Sequence, residues 1–114
     1  MPTCFISAAA SATFRAEKAT KADLAAGAHL FVGLNCFEPG QQQKLHAHRG
    51  ADKFYLLLSG KARMTVGDET CVAEAGTLVW APADVPHGVE EALERTVMLV
   101  AIAPPPGRSQ GATE

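Results

Sequence analysis

Apolar and polar positions alternate in short runs through most of the chain, and glycine, proline and acidic residues cut the runs apart. A period of two is the signature of a strand with one face buried. HLFVGLNCF (29–37) is rich in aromatic and β-branched residues and predicts a strand. Glu38-Pro39-Gly40 ends it in a turn. QQKLHAH (42–48), KFYLLLS (53–59), KARMTV (61–66), ETCVAEA (69–75) and TLVWA (77–81) are the next strands, with RGAD, Gly60, Gly67-Asp68 and Gly76 between them. A stiff Pro82–Pro86 loop leads into a strand at His87–Glu90, Glu91–Glu94 reads as a turn, and RTVMLVAIA (95–103) is the last strand. Short strands with turn signals every ~8–12 residues predict an all-β sandwich or barrel.

The ends are less patterned. Residues 1–13 read as an edge strand through Cys4-Phe5-Ile6 or as a frayed terminus. The Ala- and Lys-rich segment 14–28 reads as a short helix by propensity, or as a turn. Pro104-Pro105-Pro106-Gly107 stops the last strand, and the polar tail RSQGATE is expected to be mobile. The whole, 1–114, is read as one domain with its core at about 29–104 and less ordered ends.

Composition narrows the function classes. A net charge of −2 with 19% charged residues gives no basic stripe for a nucleic-acid partner. No apolar run reaches the roughly 18 residues needed to cross a membrane. The N-terminus lacks the basic region and long apolar stretch of a signal peptide and is read as mature chain. Cys4, Cys36 and Cys71 are odd in number and show no CxxC spacing, which argues against a disulfide framework or a zinc finger and for a reducing cytoplasm. Cys36 and Cys71 are read as buried small hydrophobes.

The chemistry lies in the histidines. His46 and His48 are one residue apart in a strand, so both imidazoles point to one face. His87 follows the double-proline loop and completes a three-imidazole site if its strand lies beside theirs. Neutral imidazoles suit zinc, iron, copper or nickel, and three protein ligands leave positions open for chemistry. An isolated histidine is more often structural, and His29, with no partner at ligand spacing, is read that way. Tyr55 and Trp80 read as core or interface aromatics, and Gln41–Gln43 as a solvated run that could lend one amide to a pocket.

Two stretches resemble the motifs of the cupin superfamily. The first is Gly40, five residues, His46-Ala47-His48, four residues, Lys53, six residues and Gly60. The second is Gly76, five residues, Pro82-Ala83-Asp84, two residues, His87, three residues and Glu91. This resemblance, to a small single-domain cupin, implies a double-stranded β-helix (a jelly roll) with one metal held inside the barrel by His46, His48 and His87. The family's glutamate, often a fourth ligand, is Lys53 here, and a protonated lysine has no lone pair to give. Asp84 replaces a motif glycine and Glu91 a motif asparagine; both are read as exposed loop residues of modest consequence.

The strand pattern contests the position of Lys53. Asp52, Phe54, Leu56 and Leu58 share one face and Lys53, Tyr55, Leu57 and Ser59 the other. The first set is more apolar, so pattern alone turns Asp52 inward as a carboxylate ligand. The spacing to Gly60 turns Lys53 inward, and a one-residue slip exchanges the two answers. Spacing is preferred, because both faces of a dimeric jelly roll can be buried. Beside a divalent cation Lys53 is then a candidate catalytic base or anion anchor, unless it snorkels to the mouth or pairs with Asp52 or Glu38. The expected function is a metal-binding cupin acting on a small molecule, as an oxygenase or isomerase with iron, manganese, nickel or zinc. A non-catalytic small-ligand or metal-binding module is the alternative. Outward Phe54, Leu56 and Leu58 predict a homodimer.

Overall fold

In the computed structural model, which describes residues 3–107, nine strands follow one short helix. The helix is α1 (Ala8–Ser11), and the strands are β1 (Thr20–Ala26), β2 (Phe31–Phe37), β3 (Gln43–His46), β4 (Asp52–Ser59), β5 (Lys61–Val66), β6 (Glu69–Glu74), β7 (Leu78–Ala81), β8 (His87–Ala92) and β9 (Thr96–Ala103). They form two antiparallel sheets in the orders β1-β2-β9-β4-β7 and β3-β8-β5-β6. Apart from the consecutive pairs β1–β2 and β5–β6, neighbours in each sheet come from distant parts of the chain, as in a double-stranded β-helix.

Two expectations fail at the N-terminus. Cys4-Phe5-Ile6 is not a strand, Phe5 is exposed, and the segment leads into α1 instead. Within 14–28, residues Thr20–Ala26 form a strand paired antiparallel with β2 rather than a helix or turn. Helix propensity is a weak prior that packing overrides. Here Ala22 and Leu24 alternate with Lys21 and Asp23, and the apolar pair packs on Leu34 and Cys36 of β2. The sheet therefore extends beyond the expected core boundary at residue 29. A smaller difference concerns β8, which runs on through Glu91 to Ala92; the expectation for the RSQGATE tail falls outside the described residues.

The sheets sandwich a core of Phe31, Phe37, Tyr55, Leu57, Met64, Val89, Met98, Val100 and Ile102. Lys53, Tyr55 and Leu57 of β4 lie in register with Ile102, Val100 and Met98 of β9, so these residues share the inner face. At the far end the Gly60 hairpin seats β4 against β9. Gly60 has φ +87°, and a Cβ there would collide with the Arg95 carbonyl and Thr96. This turn holds the register that decides which residues of β4 face inward.

The outer face of the five-stranded sheet is covered unevenly. Ala8, Ala12 and Phe14 of the N-terminal segment pack over Leu34, Cys36 and Val97. Arg95 closes this cover: its guanidinium lies 4.1 Å from the Phe14 ring centroid and donates two hydrogen bonds, of 2.9 and 2.8 Å, to the Glu38 carboxylate. The remainder of the face carries Phe54, Leu56, Leu58, Leu78 and Trp80, and the last two are about half exposed (54% and 52%).

Candidate metal centre

His46 and His87 sit directly opposite each other on paired strands, β3 and β8. The register passes from Gln43↔Val89 to His46↔His87, so three steps along β3 span two along β8. This bulge brings Gln43 and His46 onto the same inner face although they are an odd number of residues apart. β3 approaches β8 closely at this point. A Cβ on Gly88 would lie 2.7 Å from the Gln43 carbonyl oxygen and 3.0 Å from that of Lys44, so only glycine fits.

His48 lies past the end of β3, on a loop tied to the one before β8. The His48 carbonyl accepts a 3.0 Å hydrogen bond from the Asp84 N–H, and the Asp84 carboxylate accepts one of 3.1 Å from Gly50 N–H. Asp84 has φ 68°, the left-handed conformation a motif glycine would take without cost. Asp84 is exposed as expected, but its consequence is larger than a loop position suggests: it joins the two segments that carry His48 and His87. Asp52 adds to this tie by accepting a 2.9 Å bond from Ala83 N–H, and it is exposed and points away from the barrel. Glu91 is not a loop residue either; it faces Arg63 across β5 and β8 at 3.5 Å.

The three imidazoles meet inside the barrel. Ring centroids are 4.4 Å apart for His46 and His87, 5.2 Å for His46 and His48, and 5.5 Å for His48 and His87. One nitrogen from each ring lies within 4.8 Å of the others. Bonds of about 2.1 Å to a shared ion would draw these atoms somewhat closer together. His46 Nδ1 lies 2.9 Å from the Lys44 carbonyl, and His87 Nδ1 lies 3.0 Å from the Val85 carbonyl. A carbonyl only accepts, so each Nδ1 carries the proton and each Nε2 carries the lone pair. The Nε2 atoms of His48 and His87 are buried and make no hydrogen bond among the described residues. Burial, the largest cause, and the Lys53 charge lower both rings to about 4, so they are neutral at pH 7; the Val85 carbonyl partly opposes this at His87. Neutral imidazoles with inward lone pairs fit a transition metal.

Lys53 faces inward and is 1% exposed, so the spacing argument, rather than the apolarity of the other face, gives the correct register of β4. It does not snorkel out to the barrel mouth. Its Nζ lies 4.4 Å from the Tyr55 ring centroid, and its charge acts on both His48 and His87. Tyr55 is fully buried, its ring centroid 6.0 Å from that of His87. Burial raises its pKa, so the hydroxyl stays protonated and donates a 2.6 Å hydrogen bond to Gln43 Oε1. Gln43 is thus the glutamine that belongs to the site, while Gln41 braces the Glu38 turn from outside.

His29 and Trp80 lie elsewhere, exposed, and Cys71 is exposed rather than buried. Strand β6 explains the cysteine: of its residues only Ala73 is buried. Asn35, 2% exposed on the inner face of β2, escaped the sequence reading altogether. FVGLNCF is buried on both faces, so no alternation marks its one polar residue as inward.

Comparison with known proteins agrees with this geometry. The cupin-domain family model matches residues 33–103. An uncharacterised protein of Streptomyces coelicolor is 37% identical over 79 residues, covering 68% of this chain and 72% of its own. The crystal structure of TT1209 from Thermus thermophilus superposes with a TM-score of 0.81 at 35% identity, over 86% of this chain and 94% of that one. An RmlC-like cupin from Desulfovibrio desulfuricans gives 0.75 at 26% identity, over 83% and 91%. With the family model spanning more than half of its length and both sheets folded as a double-stranded β-helix, the chain belongs to the cupin family.

Proposed function

We propose that this cupin binds a divalent transition metal (iron, manganese, nickel or zinc) through His46, His48 and His87 and acts on a small molecule by oxygenase or isomerase chemistry. One observation carries the reading: three imidazoles converge inside the barrel, with Nδ1 of two of them tied to backbone carbonyls. Holding such rings neutral against one another has little purpose without a shared ligand. When bound, the metal would supply Lewis-acid chemistry at the positions three imidazoles leave open. Lys53 would orient an anionic group beside them, and Tyr55, locked by Gln43, would wall the pocket.

A second reading, a non-catalytic binding module, draws on the absence of any carboxylate from the histidine cluster among the described residues. Asp52 is turned out and engaged with Ala83. A homodimer is part of the proposal: a second copy would cover Phe54, Leu56, Leu58, Leu78 and Trp80. Free cysteines suit a reducing cytoplasm, and among the described residues no helix is long and apolar enough to cross a membrane.

Metal analysis of the purified protein beside a His46→Ala/His48→Ala double variant tests the centre. Stoichiometric metal in the first and none in the second is the expected result; equal content in both rejects it. Oxygen uptake or isomer formation across a small-molecule screen then separates enzyme from binder.

A further inference from the structure

We propose that the side cleft between β6 and β7 is a binding site for a small arylalkylammonium, its ring seated on the inner faces of the two strands and its ammonium at the Glu69 carboxylate. The site lies beside the histidine centre and uses none of its ligands.

The cleft follows from the topology. β6 ends the four-stranded sheet and β7 ends the five-stranded one, and the two edges are not paired with each other. A cavity of about 320 Å³ lies between them, with Met64, Val66, Cys71, Val79 and Trp80 in its lining. Residues opposite one another in a ladder share a face. Val66 stands opposite His87 and Val79 opposite Tyr55, and both partners are buried in the barrel. Cys71 stands opposite Met64, which is 4% exposed and belongs to the core. Cys71 therefore belongs to the inner side and is exposed nonetheless. The parted edges are what expose it, and the cleft runs from solvent to the core. An apolar recess of this kind gains free energy when a ligand displaces its water.

Size, sulfur and charge select the ligand. The volume is about twice that of an engineered ~150 Å³ apolar cavity that takes benzene, so a bicyclic ring fits. Met64 and Cys71 bring polarisable sulfur to the lining, which favours an aromatic ring over an alkyl chain. Trp80, about half exposed at the edge, offers a further ring for stacking and for a cation. Among the described residues of the lining, Glu69 is the one that carries a charge. It opens β6 opposite Val66 and so shares the inner side. A carboxylate above an apolar floor complements an ammonium on an aromatic body and repels an acid.

Tryptamine, indole-3-propionate and propylamine separate the requirements. Calorimetric titration into the full chain at low ionic strength should give tryptamine an affinity about fivefold or more above indole-3-propionate, which reverses the charge. Propylamine, which lacks the ring, should bind about tenfold or more weakly than tryptamine. Glu69→Gln should narrow the gap between tryptamine and indole-3-propionate while keeping the advantage over propylamine. Location is read at Cys71. In a Cys4→Ser background it is the exposed thiol, since Cys36 is buried. Tryptamine at ten times its Kd should slow iodoacetamide labelling of Cys71 about tenfold. Equal binding of tryptamine and indole-3-propionate, or tryptamine binding that leaves Cys71 labelling unchanged, overturns the site. If Glu69→Gln does not fold, the three probes and Cys71 protection in the chain with Glu69 still decide. The His46→Ala/His48→Ala variant keeps this site apart from the metal reading: tryptamine should bind and protect Cys71 there as in the wild type, whether or not either protein loads metal.

Discussion

The two faces of β4 differ in a way their hydrophobicity misreports. Phe54, Leu56 and Leu58, the more apolar set, point outward with Asp52 and are only partly covered. Lys53, Tyr55 and Leu57 point inward, and each is at most 1% exposed. A buried lysine costs more than a buried leucine, so apolarity alone would choose the opposite register. The fold resists that choice at both ends of the strand. The Gly60 hairpin is seated against Arg95 and Thr96, and Asp52 is clipped to Ala83. The inner face thus carries the histidine cluster and Lys53, while the outer face leaves Leu58, Leu78 and Trp80 exposed.

Breaking the inner face should have the largest effect. Tyr55→Ala removes a fully buried ring and should cost about 3–5 kcal/mol in urea unfolding, whereas Leu58→Ala on the outer face should stay within about 0.5 kcal/mol for the monomer. Equal losses would erase the contrast. Acid comes next. In the metal-free protein His48 and His87 titrate near 4, against 6.5 when unfolded. Between those values the unfolded chain takes up protons that the fold refuses. Their contribution is complete above about pH 6.5, falls as pH drops toward 4, and levels off below. Each unit of separation corresponds to about 1.4 kcal/mol, so a loss on the order of a few kcal/mol should be seen in denaturant titrations at stepped pH. Lys53→Met should shrink that loss, because after burial the Lys53 charge is the largest cause of the shift at His48.

Lys53→Glu sharpens the comparison by returning a carboxylate to the inner face. Metal affinity in chelator competition should rise about tenfold, or about 1.4 kcal/mol. The smallest expected change in monomer stability comes from Trp80→Lys, within about 0.5 kcal/mol, yet sedimentation should show the proposed dimer dissociating. A monomeric wild type would show that the outer face is simply left wet.

The sequence made the architecture readable because the strands from 29 onward carry short alternating runs cut by turn residues, and the two histidine motifs have the spacing of the family. β1 was hidden because Ala and Lys favour helix locally, and only packing against Leu34 and Cys36 makes it a strand. The meeting of three histidines was legible from spacing, but the bulge that turns Gln43 and His46 to one face was not, since a bulge breaks the parity such reasoning uses. Asn35 and the tie through Asp84 were invisible for a related reason. One lies in a strand buried on both faces, and the other works through backbone atoms that no motif names.

That reliance on backbone extends to the imidazoles. The acceptors that set the tautomers of His46 and His87 are main-chain oxygens two residues earlier, at Lys44 and Val85, rather than carboxylates. Replacing either side chain leaves its carbonyl in place. The electronic character of the centre is therefore insulated from most point substitutions nearby, and drift at positions 44 and 85 can proceed without retuning it. Changes that move the chain itself, such as any side chain at Gly88, would be felt at once.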